Sequence, residues 1–448
     1  MFVLLSGLII LFMLAIFLSK GDYLRPSIIV SGVMFGGAVC ATYLSFVWGF
    51  QLYWLTVVLF LMAVTEVVLI DALVVRSHKN RHIIINLSKI SVNKFVTLVI
   101  IIFGIIVFYL HYKYLIRAVG SLGSLGAMAT SYRKRIVWET LDVYMPGYLT
   151  RSIRLMSNFA YIYIYIFINN CILEKKLTRN IYYLFPVVLY VGDSFLMGAR
   201  GYFLYIIFGG IVYTYILLQR KNGWSKSKGY TYLKRIFVIL VIIALVFIVL
   251  GGVVGRQTSG TVFYRLSTYF GGGIPLFNDY LIHGRNISPG FGASTFTTFY
   301  SFMSRRFGWD SFSEFTQMEF RYHNGVSWGN VYTALRRYYQ DFGTAGVIIL
   351  VGIFSVFYSR LYVYIRNKSR LAKIDFALLY YGILCRGLFL FFFDDELFND
   401  FFSPSIVMNI IEMLICIWIV GLFNGEKKKL NLFQKKYCFD QTSTSIKT

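Results

Sequence analysis

The sequence predicts an all-α, polytopic integral membrane protein in which residues 1–448 form a single membrane domain. Hydrophobic residues make up 57% of the chain and aromatic residues 19%, whereas soluble domains contain roughly 45–50% apolar residues. Segments of about 18 or more apolar residues recur along the whole length, and each is long enough to cross the ~30 Å hydrocarbon core of a bilayer. Lysine and arginine cluster in a subset of the intervening loops, as is typical of proteins that span a membrane several times.

Eleven predicted spans follow one another along the chain. They cover residues 2–19, 27–46, 50–70, 95–112, 155–173, 181–199, 202–218, 236–254, 343–363, 375–393 and 404–423. The first span has neither a basic segment before it nor a small-residue cleavage site after it, so we expect it to be retained and not removed as a signal peptide.

The positive charges predict which side of the membrane each loop faces. Five basic regions lie at 71–94, 175–179, 219–235, 366–373 and 427–436. If the spans alternate in direction, all five regions fall on one side, and the positive-inside rule makes that side the cytoplasm. The N-terminus then lies outside. The same rule accounts for the net charge of +24, and the chain has no basic motif of the kind that binds nucleic acid.

One long polar segment, residues 256–341, separates two spans, and alternation makes it a large extracytoplasmic loop. It contains eight arginines and no lysine, at positions 256, 265, 285, 305, 306, 321, 336 and 337. A guanidinium group is planar and binds a phosphate or carboxylate with two parallel hydrogen bonds. An ammonium group lacks this geometry. We therefore expect this loop to bind a phosphorylated lipid, although arginine is also common near membranes without a binding role.

A second predicted outer segment covers residues 113–154 and carries seven basic residues. Trp138, Tyr144 and Tyr148 lie among its arginines. This composition is typical of an amphipathic segment that lies on a membrane surface, and a solvated loop is the alternative.

Charged residues inside predicted spans are costly and therefore informative. In the sixth span, Asp193 and Arg200 are seven residues apart, close to two helical turns, so we expect them on one face of one helix. Arg200 would then lie at the outer end of that helix. A snorkelling arginine at a helix end is the alternative reading of Arg200.

The last two spans carry a second pair of charges. Arg386 and Glu412 lie at similar depths on consecutive antiparallel helices, and we expect them to form an ion pair. The loop between these helices is predicted to form an acidic outer rim, which consists of Asp394, Asp395, Glu396 and Asp400.

Candidate reactive groups in the long outer loop are few. The glycines at 271–273 are compatible with a turn that presents backbone amides to an anion, or with a simple turn. His323 is a candidate base because histidine accepts a proton near neutral pH, although a lone loop histidine is more often only polar. Asp310, Glu314 and Glu319 do not form a metal-ligand pattern, so we predict neither a metal nor a cofactor.

Three stretches of the chain resemble a known family. They are SFLMGARGYF at 194–203, GRQTSG with TYFGGGIPLFNDYL at 255–260 and 268–281, and RYHNGVSWGNVYTALRRYYQDFG at 321–343. Together with the arginine-rich outer loop late in the chain, they are similar to the Wzy-type polymerases that join the polysaccharide repeat units of O-antigen and capsule on bacterial cell surfaces. That family is related to the O-antigen ligases.

The resemblance implies a GT-C-like fold and a glycosyltransferase of the bacterial cytoplasmic membrane, with its active site on the extracytoplasmic side. Its substrates would be glycans linked to undecaprenyl pyrophosphate within the membrane lipid, and a chain-length regulator protein would be a partner. Carried over to this sequence, Arg200, Arg256 and Arg265 would bind the substrate pyrophosphate.

The resemblance also implies that Arg321 and His323 are the catalytic residues. The match at His323 is to the ligase pattern, so Glu319 and Asp341 are alternative bases. A lipid pyrophosphate is an activated leaving group, and arginines fixed in advance would stabilise its developing charge while a base accepts the proton of the attacking hydroxyl. Aromatic residues of the loop would stack on sugar rings; they are Tyr264, Tyr269, Phe296, Tyr300, Trp309, Trp328, Tyr338 and Tyr339.

Three other functions remain open at this stage. A ligase-type transferase would perform the same reaction on another acceptor. A lipid-linked oligosaccharide flippase would bind the same ligand and move it, and such transporters are expected to contain internal repeats, which this sequence does not show. A non-enzymatic membrane scaffold is the third alternative.

Overall fold

The structure, a computed structural model, is helical in most of its described residues. It describes residues 1–78, 84–138, 145–174, 178–198, 201–225, 229–232, 234–235, 238, 261–284, 290–309, 318–323, 326–369 and 372–422. The sheet found within these ranges is one two-stranded antiparallel hairpin.

The elements follow in chain order. The first half contains α1 (Phe2–Ser19), α2 (Pro26–Trp48), α3 (Trp54–Ser77), α4 (Lys94–Val119), α5 (Leu125–Trp138), α6 (Gly147–Glu174), a 3-10 helix (Thr178–Leu184), α7 (Phe185–Leu196) and α8 (Gly201–Lys221). The second half contains α9 (Val262–Gly271), α10 (Gly273–His283), α11 (Thr297–Phe307), β1 (Arg321–His323), β2 (Val326–Gly329), α12 (Leu335–Asn367), α13 (Phe376–Leu384), α14 (Arg386–Phe389), a π-helix (Leu397–Phe401) and α15 (Pro404–Ile419).

Seven of the described helices are long and apolar enough to cross a membrane, namely α1, α2, α3, α4, α6, α8 and α12. They coincide with seven of the eleven predicted spans. This agreement is consistent with an all-α membrane protein. The last two predicted spans correspond to shorter apolar helices, Phe376–Phe389 and Pro404–Ile419. The eighth predicted span, residues 236–254, lies almost entirely outside the described residues.

The sixth predicted span is interrupted in the structure. Residues 178–184 form a 3-10 helix, and α7 contains only 12 residues. A helix of that length rises about 18 Å, less than the ~30 Å of a bilayer core. Helix α7 ends at Leu196, and Gly198 has φ 63°. The prediction that Asp193 and Arg200 share one helix face stays a prediction. Arg200 itself lies outside the described residues.

The described helices pack in two groups. In the first, α1, α2 and α3 contact one another, α12 lies along α3, and α9 lies along α2. In the second, α4, α6, α7 and α8 pack together, with α13 against α8 and α15 against α6. Gly382 of α13 permits a very close approach to α8, because a Cβ atom at that position would lie 2.2 Å from the ring of Tyr213. The groups meet where α14 contacts α2 and where α13 contacts α12.

One end of the bundle, called the basal end, is defined by the buried residues Asp22, Arg25, Asp71 and Arg366. The Arg25 Nε donates to Asp71 Oδ2 at 3.0 Å, and the Arg366 Nη1 donates to Asp22 Oδ2 at 2.9 Å. Each buried carboxylate is thus neutralised by an arginine, without which it would be strongly destabilising. These pairs join the ends of α1, α3 and α12 to the start of α2.

The opposite end, called the apical end, is defined by Trp48 at the end of α2, Tyr53 before α3 and Arg336 at the start of α12. The described parts of segment 256–341 lie at this end. Asn278 of α10 accepts hydrogen bonds from the Tyr53 backbone N–H and the Thr56 hydroxyl, both at 2.7 Å, and donates to the Gln51 carbonyl at 3.0 Å. This one side chain therefore fixes α10 against the connection between α2 and α3.

Helix α9 descends along the apical half of α2 and does not stand off the bundle as a surface loop. The Tyr264 hydroxyl accepts from Trp48 Nε1 at 3.2 Å, near the start of α9. At the other end of α9, a Cβ atom added to Gly271 would lie 2.4 Å from the Ala41 backbone nitrogen. The two helices are therefore antiparallel. Gly271 permits this contact, and the presentation of backbone amides to an anion by residues 271–273 stays a prediction.

A sharp bend divides α12. Gly343 has φ 62° and ψ −152°, a conformation that is open to glycine and strongly disfavoured for other residues. The chain therefore forms a short apical helix before Gly343 and a long helix after it. The first of these carries Arg336 and Arg337 of the outer segment.

In the described part of segment 113–154, residues 113–119 end α4, residues 147–154 begin α6, and Leu125–Trp138 between them form α5. Met128, Ala129 and Tyr132 are buried, and the Tyr132 ring packs edge-on against Tyr114 of α4 at 5.8 Å. The helix therefore packs on α4 and α7 and is not a solvated loop.

Candidate anion-binding site

The β1–β2 hairpin is held to α12 by a carboxylate between two arginines. Glu319, just before β1, accepts hydrogen bonds from Arg321 and Arg336, both at 3.0 Å. Arg321 Nη1 also lies 3.1 Å from Asp279 Oδ2 of α10, and its Nε donates to the Tyr332 hydroxyl at 3.2 Å. All three guanidinium nitrogens of Arg321 are engaged, so this predicted catalytic residue is rigidly placed.

Arg336 is fully buried and is neutralised within the protein. Its guanidinium carbon lies 3.2 Å from the centre of the Tyr280 ring, a favourable arrangement for a cation on an aromatic face. It also donates to Gln340. With Glu319 on one side and Tyr280 on the other, Arg336 connects the hairpin, α10 and α12.

Glu319 carries a negative charge in this network. Burial alone raises the pKa of Glu319, but the positive charge of Arg336 and the hydrogen bonds from Arg336 and Arg321 together lower it by more. Its pKa therefore lies below the usual value of 4.5. A carboxyl group of this kind stabilises the fold fully above its unfolded pKa and loses that contribution as the pH falls through its folded pKa.

We accordingly expect Glu319→Gln to lower the melting temperature markedly at pH 7 and progressively less below pH ~4.5. Thermal unfolding in detergent micelles, recorded for the parent and the variant between pH 7 and pH 3, measures this difference. A difference that stays constant over that range would contradict an ionised Glu319 between two arginines.

Arg337 makes a separate set of contacts because successive side chains of a helix point about 100° apart. It forms a two-pronged ion pair with Asp394, at 2.7 and 2.9 Å, and donates to the Ser294 carbonyl at 2.9 Å. Asp341, one helical turn later, accepts from the backbone N–H groups of Ser294 and Thr295 at 3.2 and 2.6 Å. Both Asp341 oxygens are thus occupied in fixing the turn before α11, which weakens its candidacy as a base.

The predicted ion pair between Arg386 and Glu412 is wrong. Arg386 Nε lies 3.0 Å from Glu396 Oε2, and Asp400 also contacts this guanidinium. Glu412 instead pairs with Arg154 of α6, with Nε–Oε2 at 2.7 Å. Helix α15 packs against α6, and this packing places Glu412 next to Arg154.

The predicted acidic rim is not an open acidic surface. Asp394 is paired with Arg337, and Glu396 and Asp400 are paired with Arg386. The fourth member, Asp395, is buried, accepts from the Tyr338 hydroxyl at 2.9 Å, and accepts from the backbone N–H groups of residues 397–399. These carboxylates fix arginines and cap the π-helix.

Arg265 differs from the arginines above because it has no carboxylate partner among the described residues. It follows Tyr264 on α9, at the level where α9 meets Trp48. Its Nε is buried and lacks a hydrogen-bond partner within the described chain, and a buried donor left unpaired is costly. Arg265 is therefore available to bind an added anion. The other two predicted pyrophosphate ligands, Arg200 and Arg256, lie outside the described residues.

Three of the five histidines lie in the outer segment or beside a buried charge. His323 ends β1, and its side chain lies outside what the structure describes, so its role as a base stays a prediction. His283 is exposed and pairs with Asp279 at 2.9 Å. The sequence reasoning missed His111 of α4, whose Nδ1 lies 2.8 Å from Asp193 Oδ1 with both groups buried. The signal for His111 in the sequence is Asp193 itself, because a carboxyl group inside a predicted span requires a polar partner.

The aromatic residues of the outer segment divide into packed and exposed members. Trp328 is buried and stacks on Trp48 at 4.9 Å, and Tyr338 is also buried. Trp309 is 51% exposed, and its ring lies 6.5 Å from that of Tyr300. Trp309 and Tyr300 are therefore better placed to stack on a sugar than Trp328 or Tyr338.

The described residues hold no cluster of three or more His, Cys, Asp or Glu side chains that is suited to a metal ion. Comparison of the chain with protein-family models found no match, and comparisons with curated proteins and with solved structures found none either.

Proposed function

We propose that the protein is a membrane glycosyltransferase that joins lipid-linked oligosaccharide repeat units into a surface polysaccharide on the outer side of the bacterial cytoplasmic membrane. The observation that carries this proposal is Arg265, a guanidinium whose buried Nε has no hydrogen-bond partner among the described residues, on a helix that enters the apical half of the bundle. Such a group fits an anion presented at the membrane surface, and a lipid pyrophosphate is an anion of this kind.

The pyrophosphate ligands in this proposal are Arg265, Arg200 and Arg256. Negative charge develops on the pyrophosphate as the glycosidic bond to it breaks, and fixed guanidinium groups stabilise that charge more than the ground state. The resemblance of segments 194–203 and 255–260 to the polymerase family supports the inclusion of Arg200 and Arg256.

The acceptor side of the reaction is assigned to the β1–β2 hairpin. His323 is the base that accepts the proton of the attacking sugar hydroxyl. Arg321 positions the hairpin through its contacts with Glu319 and Asp279. Glu319 is a weaker candidate for the base because its charge is already shared between two arginines.

The test is a polymerisation assay with purified, reconstituted protein. Undecaprenyl-pyrophosphate-linked repeat units from the source organism serve as both donor and acceptor, and the products are separated on a gel. A ladder of products is the expected result. Addition of one block to a different acceptor would indicate a ligase, and unaltered substrate would contradict any transferase.

A further inference from the structure

A groove on the lipid-facing side of the bundle, remote from the apical site, has features of a ligand site. It lies between α3 and α12 and has a volume of about 830 Å³, within the range of roughly 300–1,000 Å³ found for ligand sites. Its walls are almost entirely aliphatic and aromatic, and the polar residues among them are Glu66, Arg360 and Tyr364. We propose that this groove binds one acyl chain of an anionic phospholipid, with the phosphate at Arg360.

The position of Arg360 fixes the depth of the phosphate. The preceding residue, Ser359, donates to Asp71 Oδ1 at 2.9 Å, so Arg360 lies at the level of the basal ion-pair network. Arg360 is exposed and makes no ion pair within the described residues, whereas Arg25 and Arg366 nearby are each paired with a buried carboxylate. Its positive charge is thus available to a headgroup phosphate, and its aliphatic stem can lie along the groove.

The dimensions of the groove match one lipid leaflet. Twelve residues separate Arg360 from Ile348 at the far end, a rise of about 18 Å on a helix. Half of a bilayer core is about 15 Å thick. The wall between these residues is formed by exposed apolar side chains, among them Ile349 and Ile353, which are 60% and 50% exposed. A single acyl chain therefore fits between the basal end and the middle of the membrane.

Glu66 supplies a second and independent indication of a ligand. Its Oε1 lies against Gly352 of α12, and its Oε2 is buried without a hydrogen-bond partner in the described chain. As a protonated acid it has one O–H donor. The glycerol ester carbonyls of a phospholipid lie on the hydrocarbon side of the phosphate, and Glu66 lies about 7.5 Å from Asp71 along α3 in the same direction. An ester carbonyl is the acceptor that this geometry fits.

Native mass spectrometry of the full-length protein, delipidated and then incubated with phospholipid in detergent, tests the proposal. We expect one phosphatidylglycerol to be retained per chain and to be preferred over phosphatidylcholine. Arg360→Gln should weaken phosphatidylglycerol binding about fivefold, because one basic residue near an anionic surface contributes roughly that factor. Ile349→Trp, which places an indole in the groove, should abolish the retained lipid.

Two variants of matched chemistry serve as controls. Ile105→Trp changes a lipid-facing residue of α4 that is 53% exposed, and Arg179→Gln removes an exposed arginine that does not line the groove. Both should retain the lipid as the parent does. Equal binding of the two phospholipids, or equal loss in the control variants, would overturn the proposal.

A photo-reactive residue at position 353 identifies the occupant in cells. Cross-linking to a phospholipid is the expected result. Cross-linking to a second copy of the chain, or to a lipid-linked glycan, would refute the proposed occupant and leave the polymerisation assay unaffected, so that the two proposals are tested separately.

Discussion

Arg265→Lys is expected to lower the rate of polymer formation by on the order of 100- to 1000-fold, the loss that follows removal of one fixed donor to a developing charge. Lysine keeps the positive charge, but an ammonium group lacks the planar fork that binds two phosphate oxygens at once. Arg265 has no carboxylate partner among the described residues, so the substitution breaks no ion pair seen there.

The measurement is the initial rate of ladder formation at equal amounts of reconstituted protein. Arg306→Lys is the matched control, because Arg306 is an exposed arginine of the same outer segment and should tolerate lysine. Arg200→Lys and Arg256→Lys are expected to behave as Arg265→Lys does. If all three variants polymerise at the parent rate, the arginines do not bind the pyrophosphate. If Arg306→Lys is equally impaired, the outer segment acts through its folding.

Hydropathy was sufficient to predict the long helices, because an apolar run of bilayer length has few stable alternatives to a helix that spans the membrane. It failed where a helix is short. α7 is preceded by a 3-10 helix and ends at Leu196, whereas the ninth predicted span, residues 343–363, begins at the bend at Gly343. The break before α7 does not change the mean hydropathy of its segment, so a window over the sequence does not detect it.

The partners of the buried charges could not be predicted from the sequence. Depth along a helix can be counted in residues, but the direction in which a side chain points depends on how the helices pack. The predicted pairing of Arg386 with Glu412 is therefore wrong, because Arg386 pairs with Glu396 and Glu412 pairs with Arg154. The same limit applies to the acidic residues at 394–400, which read as an exposed rim and instead neutralise Arg337 and Arg386.

The sequence predicted that arginines would form the candidate site, but it did not predict which residues each arginine contacts. The excess of arginine over lysine in 256–341 distinguishes this segment from the other loops. Among the members whose side chains the structure describes, Arg321, Arg336 and Arg337 are neutralised by Glu319 or Asp394, and Arg306 is exposed. Arg265 is the described member that has a buried Nε and no such partner. That division depends on the packing of α9 along α2, and the sequence signal for it is Gly271, in a glycine run that is equally compatible with a turn.

Arg386→Met is expected to destabilise the protein by about 3–5 kcal/mol, the usual result of leaving a buried charge without its partner. The uncompensated charge is that of Glu396, whose side chain is 14% exposed. Burial raises the pKa of Glu396 and the positive charge of Arg386 opposes that rise, so loss of Arg386 leaves the carboxyl less stable in its ionised form. Asp400 is 47% exposed and should be little affected, since solvated charges lose little with their partners.

A double-mutant cycle identifies the true partner. Adding Glu396→Gln to Arg386→Met should restore a large part of the lost stability, because the buried charge is removed while the hydrogen bond from the Tyr205 hydroxyl retains an acceptor. Adding Glu412→Leu should instead deepen the loss, because Glu412 belongs to Arg154. The free energy of unfolding is measured in micelles by titration with denaturant, with Lys89→Ala as a control that breaks an exposed ion pair and should cost about 0–1 kcal/mol. Coupling between Arg386 and Glu412 in place of Glu396 would reverse the assignment made from the structure.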